Sequence, residues 1–268
     1  MSVYNGEAHI DKAIPSILSQ TYEAFEFIII DDGSTDRTGE RLQAIAKQDV
    51  RVKIHSPGRL GLVKALNYGI EQAQGKYIVR QDIDDISLPN RLSSQVAYLD
   101  RHPQAGLVGG FYKLIDESRQ ENYIRMPPTE HSQILRMMTK CIPVCNTIAT
   151  LRKQAWEEAG RYQIDDGLED LRLMLALAQK NWQIANLPEV LGEHRVYSES
   201  FWHRNTQYKT RQNTLAKLQY QAVQTLDLPF WLSIYPLSRL AYGYLPTALK
   251  KFARRNLIGM QEKDISPG

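Results

Sequence analysis

The chain has 268 residues, of which 43% are hydrophobic and 24% are charged, the composition of a globular protein with one large or two modest domains. Its net charge of +3 is unevenly distributed: from Thr206 to the C-terminus nine Lys and Arg residues stand against three acids, so residues 1–205 are net negative. This distribution argues against nucleic-acid binding along the whole chain and indicates a tail that meets an anionic partner.

Cys141 and Cys145 are separated by three residues, a spacing that fits neither a CxxC redox motif nor, without a second Cys/His pair, a zinc site. Free thiols of this kind indicate a reducing compartment. The N-terminal residues MSVYNGEAHI contain neither the basic nor the apolar region of a secretory signal, so we expect a cytoplasmic protein.

The N-terminal third of the chain alternates between helical and strand patterns. In chain order we predict a helix over 8–18 that Pro15 interrupts, a buried strand over 23–32, a helix from about 34 to Lys47, a strand over 51–55, a helix over 61–75 and a strand that begins at Lys76. This alternation predicts an α/β fold with a doubly wound, mostly parallel sheet flanked by helices.

The later segments continue this pattern and end in a different composition. We predict a helix after Pro89, an apolar strand from Ala105, an amphipathic helix over 165–181 and a last strand over 190–200. We therefore divide the chain into a catalytic domain, residues 1–205, and a helical, aromatic and basic extension, residues 206–268.

Residues 228–256 are aromatic and apolar, then basic, but their prolines and Arg239 leave no charge-free run long enough to span a bilayer. One interpretation is an amphipathic helix on the inner face of an anionic membrane, with Trp231, Tyr235, Tyr242 and Tyr244 at the interface. The other is a helical subdomain that packs on the catalytic domain or forms a homodimer.

Two acidic clusters follow predicted strands, DDGSTD at 31–36 and DIDD at 82–85. Ligands of doubly wound sheets bind beyond the carboxyl ends of the strands, so both clusters are site candidates. Asp82, Asp84 and Asp85 form either a solvated loop with helix-capping acids or a site for Mg²⁺ or Mn²⁺. These cations take one or two carboxylates and fill their other positions with water and phosphate oxygens.

Three stretches of residues 1–200 together resemble the family 2 glycosyltransferases. They are VYNGEAHIDKAIPSILSQTYEAFEFIIIDDGSTDRT, GLVKALNYGIEQAQGKYIVRQDIDDISLPNRL and GLEDLRLMLAL, in the family's order and at similar spacing. The resemblance implies a GT-A fold, a nucleotide-sugar donor, with UDP the commonest nucleotide, and transfer with inversion at the anomeric carbon. It also implies a glycan or lipid-linked acceptor in polysaccharide or glycolipid assembly.

The resemblance also implies roles for individual residues. Tyr4 and Asp32 match the positions that contact the nucleobase. Asp84 matches the metal ligand, and Asp82 and Asp85 match positions that contact ribose or metal-bound water, with Asp82 a second candidate metal ligand. The remaining match is the ED motif, in which Asp170 corresponds to the general base.

The chemistry of inverting transfer agrees with these roles, because one carboxylate must deprotonate the acceptor hydroxyl while a metal holds the departing diphosphate. The adjacent Glu169 and partial burial are expected to raise the pKa of Asp170, whereas the helix N-terminus acts in the opposite direction. Four further residues are weaker candidates for diphosphate or metal contact, because a solvated or structural role is commoner for side chains of these types: Arg59, Lys64, His194 and Arg195.

Only three residues precede Tyr4, so we expect the first strand of the sheet to be too short to span it. Either the start of the protein lies upstream of Met1 or the nucleobase pocket lacks a wall. In the first case we expect this chain alone to have low stability or weak activity.

Three other functions are compatible with acids at strand ends. A phosphatase of the haloacid-dehalogenase type needs DxDG(S/T), whereas Asp31 and Asp32 are adjacent. A sugar nucleotidyltransferase needs a glycine-rich basic loop after its first strand, which NGEAHIDKA does not provide. A catalytically inactive nucleotide-binding scaffold is expected to have lost Asp84 or Asp170, and both are present.

Overall fold

A computed structural model of the chain describes residues 1–117, 120–164, 166–197 and 208–244. The chain divides into two compact units. The first comprises Met1–Ile134 and Val144–Arg204, and the second comprises Leu135–Pro143 and Asn205–Gly268.

The first unit begins with a parallel sheet of three strands in the order β1-β2-β3. The strands and their helices are β1 (Ser2–Val3), α1 (Ile10–Leu18), β2 (Phe27–Asp31), α2 (Thr38–Ala46), β3 (Val52–His55) and α3 (Leu62–Gln72). Every residue of β2 is buried, as expected for a central strand covered on both faces. This sheet confirms the alternation of strands and helices predicted from the sequence.

The first two helices differ in detail from the prediction, one at Pro15 within it and the other at its first residue. Helix α1 continues through Pro15, because the proline removes only the hydrogen bond that its own N–H would donate, and the N–H of Ser19 still donates to the Pro15 carbonyl at 3.0 Å. Helix α2 begins at Thr38, whose N–H donates to Asp36 Oδ1 at 3.0 Å. Asp36 therefore satisfies one of the free N–H groups at the start of α2.

The second sheet of the first unit has six strands and is mixed. Its strands follow the order β4-β8-β6-β9-β5, with β7 on β6, and only β6 and β9 pair in parallel among the described residues. The remaining elements of this unit are β4 (Tyr77–Val79), β5 (Ile86–Ser87), α4 (Arg91–Arg101), β6 (Ala105–Asp116), β7 (Glu121–Arg125), α5 (His131–Met138), β8 (Thr150–Arg152), α6 (Lys153–Glu158), α7 (Glu169–Gln179) and β9 (Gln183–Val196). Helix α5 ends within the second unit.

The edge of the first sheet at β1 borders an apolar cavity. Strand β1 has two residues and, among the described residues, pairs with β2 alone. A cavity of about 340 Å³ lies beside it, with Met1, Phe27, Ile28 and Ile78 among its lining residues. The Met1 amino group donates to the Ile28 carbonyl at 2.9 Å, and burial lowers its pKa to about 5. The short first strand expected from the sequence is therefore present.

The second unit contains two long helices among its described residues, α8 (Tyr208–Thr225) and α9 (Ile234–Tyr244), with a 3₁₀ turn over Phe230–Ser233 between them. Arg239 on α9 donates to the Gln219 and Gln212 side chains on α8 at 3.0 and 2.7 Å. No helix in the described part of the chain is long and apolar enough to cross a membrane.

A buried arginine connects α4 to the loop after β4. All five N–H donors of Arg91 are used: Nε to Gln95, Nη1 to Gln81 and Ser87, and Nη2 to the carbonyls of Arg80 and Ala149, at 2.6–3.3 Å. Its side chain is fully buried. Arg91 therefore fixes the path of the chain between β4 and α4.

We predict that Arg91→Ala lowers the free energy of unfolding by about 3 kcal/mol or more, because it leaves several buried acceptors without donors at about 1–3 kcal/mol each. The measurement is the shift of the thermal unfolding midpoint of the first unit. Arg101→Ala on the same helix is the control, because Arg101 is exposed and its loss is expected to change stability by about 0.5 kcal/mol at most. Equal shifts for the two variants would contradict the role given to Arg91.

Candidate active site

The candidate site residues lie where strands end or a helix begins. They occupy the carboxyl end of β2 (Asp32), the loop over 80–85 between β4 and β5, the first turn of α7 (Glu169 and Asp170) and the end of β9 (His194 and Arg195). Tyr4 follows β1 directly. The fold therefore places most of these side chains at carboxyl ends of strands, as expected from the sequence.

The loop over 80–85 is held by hydrogen bonds to its main chain. Gln81 Nε2 donates to the carbonyls of Asp82 and Asp85 at 2.9 and 2.8 Å, and the N–H of Asp82 donates to Thr147 Oγ1 at 3.0 Å. Gln81 in turn accepts from Arg91 and from Ser87. These hydrogen bonds fix the main chain from which the carboxylates of this loop project.

The three carboxylates of the loop have different surroundings. Asp82 accepts from Arg80 Nη2 at 2.8 Å. Asp85 is fully buried and accepts from the N–H of Arg195 at 2.7 Å and lies 3.0 Å from His194 Nδ1. Asp84 is half-buried, and no cation among the described residues contacts its carboxylate. Of the three, Asp84 is the carboxylate open to a further cation.

The electrostatic field at Asp84 disfavours its charged form. Burial and the neighbouring charges of Asp85 and Asp82 raise the pKa of Asp84 to about 7. A divalent cation would reverse that effect, since it stabilises the carboxylate form. The loop therefore carries a carboxylate whose ionisation is costly until a cation binds.

His194 takes its orientation from Asp85. Burial alone lowers the pKa of His194, but the adjacent Asp85 carboxylate and its hydrogen bond raise it to about 9. Nδ1 faces Asp85, so Nε2 is the ring nitrogen available to a ligand, an arrangement in which a carboxylate fixes the orientation of a histidine. The pair joins two segments that are 109 residues apart in the sequence.

The residues around Asp84 fit a hard divalent cation. Across the ranges described above, no group of three or more His, Cys, Asp and Glu side chains is arranged as a complete metal site. Mg²⁺-type sites in enzymes use one or two carboxylates and complete their shell with water and substrate phosphate. One carboxylate without a cation partner among the described residues, with Asp82 in the same loop, agrees with such a partial site.

A polar cavity of about 180 Å³ adjoins Asp84. Its lining includes His9 and Lys12 from the start of α1 and Arg195 and Tyr197 from the end of β9. Asp84 therefore lines a space that two cations, Lys12 and Arg195, also border, together with the acid Glu117. The sequence predicted a position near this site for Arg195 but not for His9 or Lys12.

The residues expected to contact the nucleobase are brought together by Arg59. The Arg59 guanidinium lies 3.7 Å from the centre of the Tyr4 ring, and its Nη1 donates to Asp32 Oδ2 at 2.5 Å. The N–H groups of Leu60 and Gly61 also donate to Asp32, which is almost fully buried. Tyr4 and Arg59 are exposed, so they, rather than Asp32, present surface to a ligand here.

Asp170 lies in the first turn of α7 beside the buried Glu169. Burial and the charge of Glu169 raise the pKa of Asp170 to about 7, although the N–H of Leu171 donates to it at 2.6 Å. The two causes that raise this pKa are the ones expected from the sequence. A carboxyl group with a pKa near neutrality can accept a proton at physiological pH.

Arg80 is a site residue that the sequence did not indicate. Its side chain is buried, and Nε and Nη1 have no hydrogen-bond partner among the described residues. Arg80 forms an ion pair with Asp82 at 2.8 Å. Its charge also lowers the pKa of Asp170, but this effect is smaller than those of burial and Glu169, which raise that pKa. The only signal for it in the sequence is a cation in the strand that leads into the acids. Lys64, in contrast, is exposed on α3.

Comparison with known protein families gives a match to the model described as glycosyl transferase family 2 over residues 1–160. The chain is 32% identical over 268 residues to the putative glycosyltransferase EpsE of Bacillus subtilis, covering 98% of this chain and 94% of that protein. It is also 32% identical over 207 residues to the amylovoran biosynthesis glycosyltransferase AmsE of Erwinia amylovora, covering 74% of this chain and 76% of that protein.

Solved structures share the fold at lower identity. The mannosyltransferase PcManGT of Pyrobaculum calidifontis, in complex with GDP-Man and Mn²⁺, aligns with a TM-score of 0.66 at 18% identity over 97% of this chain and 79% of that one. S. aureus TarS in complex with UDP-GlcNAc aligns with a TM-score of 0.64 at 17% identity over 98% and 75%. These likenesses confirm the GT-A type of α/β fold. By its family match and its relatives over nearly the whole length, the chain belongs to glycosyl transferase family 2.

Proposed function

We propose that the protein is a metal-dependent, inverting glycosyltransferase that moves a sugar from a nucleotide-sugar donor to a hydroxyl group of a glycan or lipid-linked acceptor, in cell-surface polysaccharide or glycolipid assembly. The observation that carries the proposal is Asp84, a half-buried carboxylate with a raised pKa and no cation partner among the described residues. A relative named for amylovoran biosynthesis and structures in complex with UDP-GlcNAc or with GDP-Man and Mn²⁺ support it. We take a UDP-sugar as the donor to test first.

In this proposal the donor lies along the carboxyl edge of the sheets. Tyr4 and Arg59 contact the nucleobase, and Asp32 holds Arg59 in position. Asp84, with Asp82 as a second ligand, would hold Mn²⁺ or Mg²⁺, and a cation bound there would supply positive charge to the departing diphosphate. Asp85 orients His194 toward the same region.

Asp170 performs the proton transfer. It accepts the proton of the acceptor hydroxyl as that oxygen forms a bond to the anomeric carbon, on the face opposite the diphosphate. The bond between the anomeric carbon and the diphosphate oxygen breaks, and its electron pair leaves with the diphosphate. Because attack and departure occur on opposite faces, the configuration at the anomeric carbon inverts.

For the C-terminal extension, residues 206–268, we propose contact with the inner face of a membrane through residues 228–256. A homodimer formed by the same extension is the alternative. A catalytically inactive scaffold is the alternative for the whole chain, and it is decided by the three experiments that follow.

We predict that Asp84→Asn lowers donor hydrolysis and transfer by about 100-fold or more at fixed Mn²⁺ concentration, because charge stabilisation by a metal is worth several kcal/mol. The measurement is release of nucleoside diphosphate from a panel of nucleotide sugars, with and without EDTA. Asp100→Asn is the matched control, since Asp100 forms a surface contact with Lys76 and Tyr77. Hydrolysis that survives both EDTA and Asp84→Asn would exclude the metal-dependent mechanism.

We predict that Asp170→Asn lowers kcat for transfer by about 10²–10⁴-fold while donor affinity, measured by calorimetry, changes little. In the wild type, kcat should fall as the pH drops below about 7, because Asp170 works as a base only when deprotonated and its pKa is about 7. This profile is measured at saturating donor and Mg²⁺. Unchanged turnover in Asp170→Asn would assign the base to another residue.

We predict that Arg59→Ala raises the KM for the donor about tenfold with little change in kcat, because the nucleobase is bound equally in the ground and transition states. Arg37→Ala is the control, since Arg37 forms an exposed ion pair with Glu40. If Arg59→Ala and Arg37→Ala have the same KM, the nucleobase binds elsewhere.

A further inference from the structure

The second unit exposes four large apolar side chains within eight residues. Phe230 and Trp231 in the 3₁₀ turn are 78% and 62% exposed, and Ile234 and Leu237 on α9 are 63% and 53% exposed. Their spacing of one, three and three residues places them along one side of the turn and the first two turns of α9. We call these four residues the exposed apolar face. Four exposed side chains of this size within eight residues mark an interaction surface.

The other side of the same segment is anchored within the second unit. Leu232 and Ser233 are buried, and the ammonium group of Lys140 lies 4.3 Å from the centre of the Tyr235 ring. Arg239 bonds to two glutamine side chains of α8 and, through Nη2, to the Lys140 carbonyl at 2.8 Å. The segment is therefore fixed by its inner side, which leaves the exposed apolar face directed outward.

The sequence that follows this face is rich in cations, and one exposed acid, Asp227, precedes it. No Asp or Glu occurs from residue 228 to residue 261, whereas this stretch contains five cations, of which the first is bonded to α8 and the other four lie outside the described residues: Arg239, Lys250, Lys251, Arg254 and Arg255. Aromatic and apolar side chains next to clustered cations are the composition of segments that lie in the plane of an anionic bilayer surface.

A second copy of the chain fits this surface less well. Residues 206–268 carry nine Lys and Arg against three acids, so self-association would bring two segments of net positive charge together, and like charges repel. Anionic lipid headgroups would instead neutralise them while the apolar side chains enter the boundary between headgroups and acyl chains. The charge therefore favours a lipid surface over self-association.

We propose that Phe230, Trp231, Ile234 and Leu237 are the side chains by which the protein inserts into the headgroup region of an anionic bilayer. This assignment differs from the sequence-based one, which named Trp231 together with Tyr235, Tyr242 and Tyr244. In the structure Tyr235 and Tyr242 are half-buried, and Tyr244 lies at the end of the described residues. If the protein has the proposed function, its acceptor is then a lipid-linked glycan presented at the same bilayer surface.

The test is co-sedimentation of the full chain with vesicles of phosphatidylcholine alone or with one quarter phosphatidylglycerol. The double variant Phe230→Ser/Trp231→Ser should bind the anionic vesicles at least about tenfold more weakly than the wild type, since two large side chains lose their burial. Ile234→Asn/Leu237→Asn should have a similar effect. Wild-type binding should also weaken when the salt concentration is raised or phosphatidylglycerol is omitted.

The matched control is Val50→Ser/Met126→Ser, which removes two exposed apolar side chains of the first unit, 95% and 69% exposed, and should bind vesicles like the wild type. Equal binding by the wild type and both apolar-face variants would overturn the proposal. So would a wild type that is dimeric in light scattering and becomes monomeric in those variants without binding vesicles.

Vesicle binding requires neither donor nor metal, so it tests the exposed apolar face even if no sugar transfer is found. If transfer occurs, Phe230→Ser/Trp231→Ser should hydrolyse the donor at the wild-type rate but transfer sugar more slowly to a lipid-linked acceptor in anionic vesicles. Equal transfer rates on such an acceptor would overturn the link between this face and the acceptor. Loss of donor hydrolysis in Asp84→Asn bears on the proposed function alone.

Discussion

The geometry of the candidate site depends on one buried guanidinium. Arg91 donates to two side-chain amide oxygens, one hydroxyl and two main-chain carbonyls. One of these carbonyls, that of Arg80, belongs to the loop that carries the acids, and the other is that of Ala149. A loop that must hold adjacent carboxylates is repelled by its own charges, so it needs a support that does not depend on them. Neutral acceptors around a planar donor provide that support, and Gln81 extends it to the main chain of Asp82 and Asp85.

The three carboxylates held by this loop differ in the cations that they contact. Asp82 forms an ion pair with Arg80, and Asp85 forms one with His194 that also ties the end of β9 to the loop. Asp84 has no such pair among the described residues, and burial, together with the charges of Asp85 and Asp82, raises its pKa. The acid proposed to accept the proton is separate from the acid proposed to bind the metal, because the pKa of Asp170 is raised by burial and by Glu169 and not by the carboxylates of the loop.

The sequence predicted the features that depend on local patterns. The buried run before Asp31 predicted β2, and acids after strands or at a helix start predicted the neighbourhoods of Asp32, Asp84 and Asp170. It did not predict contacts between distant segments, such as His194 with Asp85 across 109 residues or the Ala149 carbonyl with Arg91 across 58. Periodicity also does not encode strand direction, so the mixed second sheet was not apparent. Nor does composition reveal which side of α9 is anchored, so the exposed apolar side chains required the structure.

The position of Asp32 has a consequence for how this fold can treat phosphate. Many nucleotide-binding α/β proteins hold phosphate with the free N–H groups at the start of a helix that follows a strand. Here the N–H groups of Leu60 and Gly61, at the entrance to α3, donate to the Asp32 carboxylate, and Asp36 occupies the start of α2. The chain's own acids thus occupy the starts of the two helices that follow β2 and β3, so the N–H groups there are not available to phosphate, and cations are needed to compensate phosphate charge at these two positions. Under the proposed mechanism, the supply of divalent metal in the cell would then set how much donor this enzyme can hold.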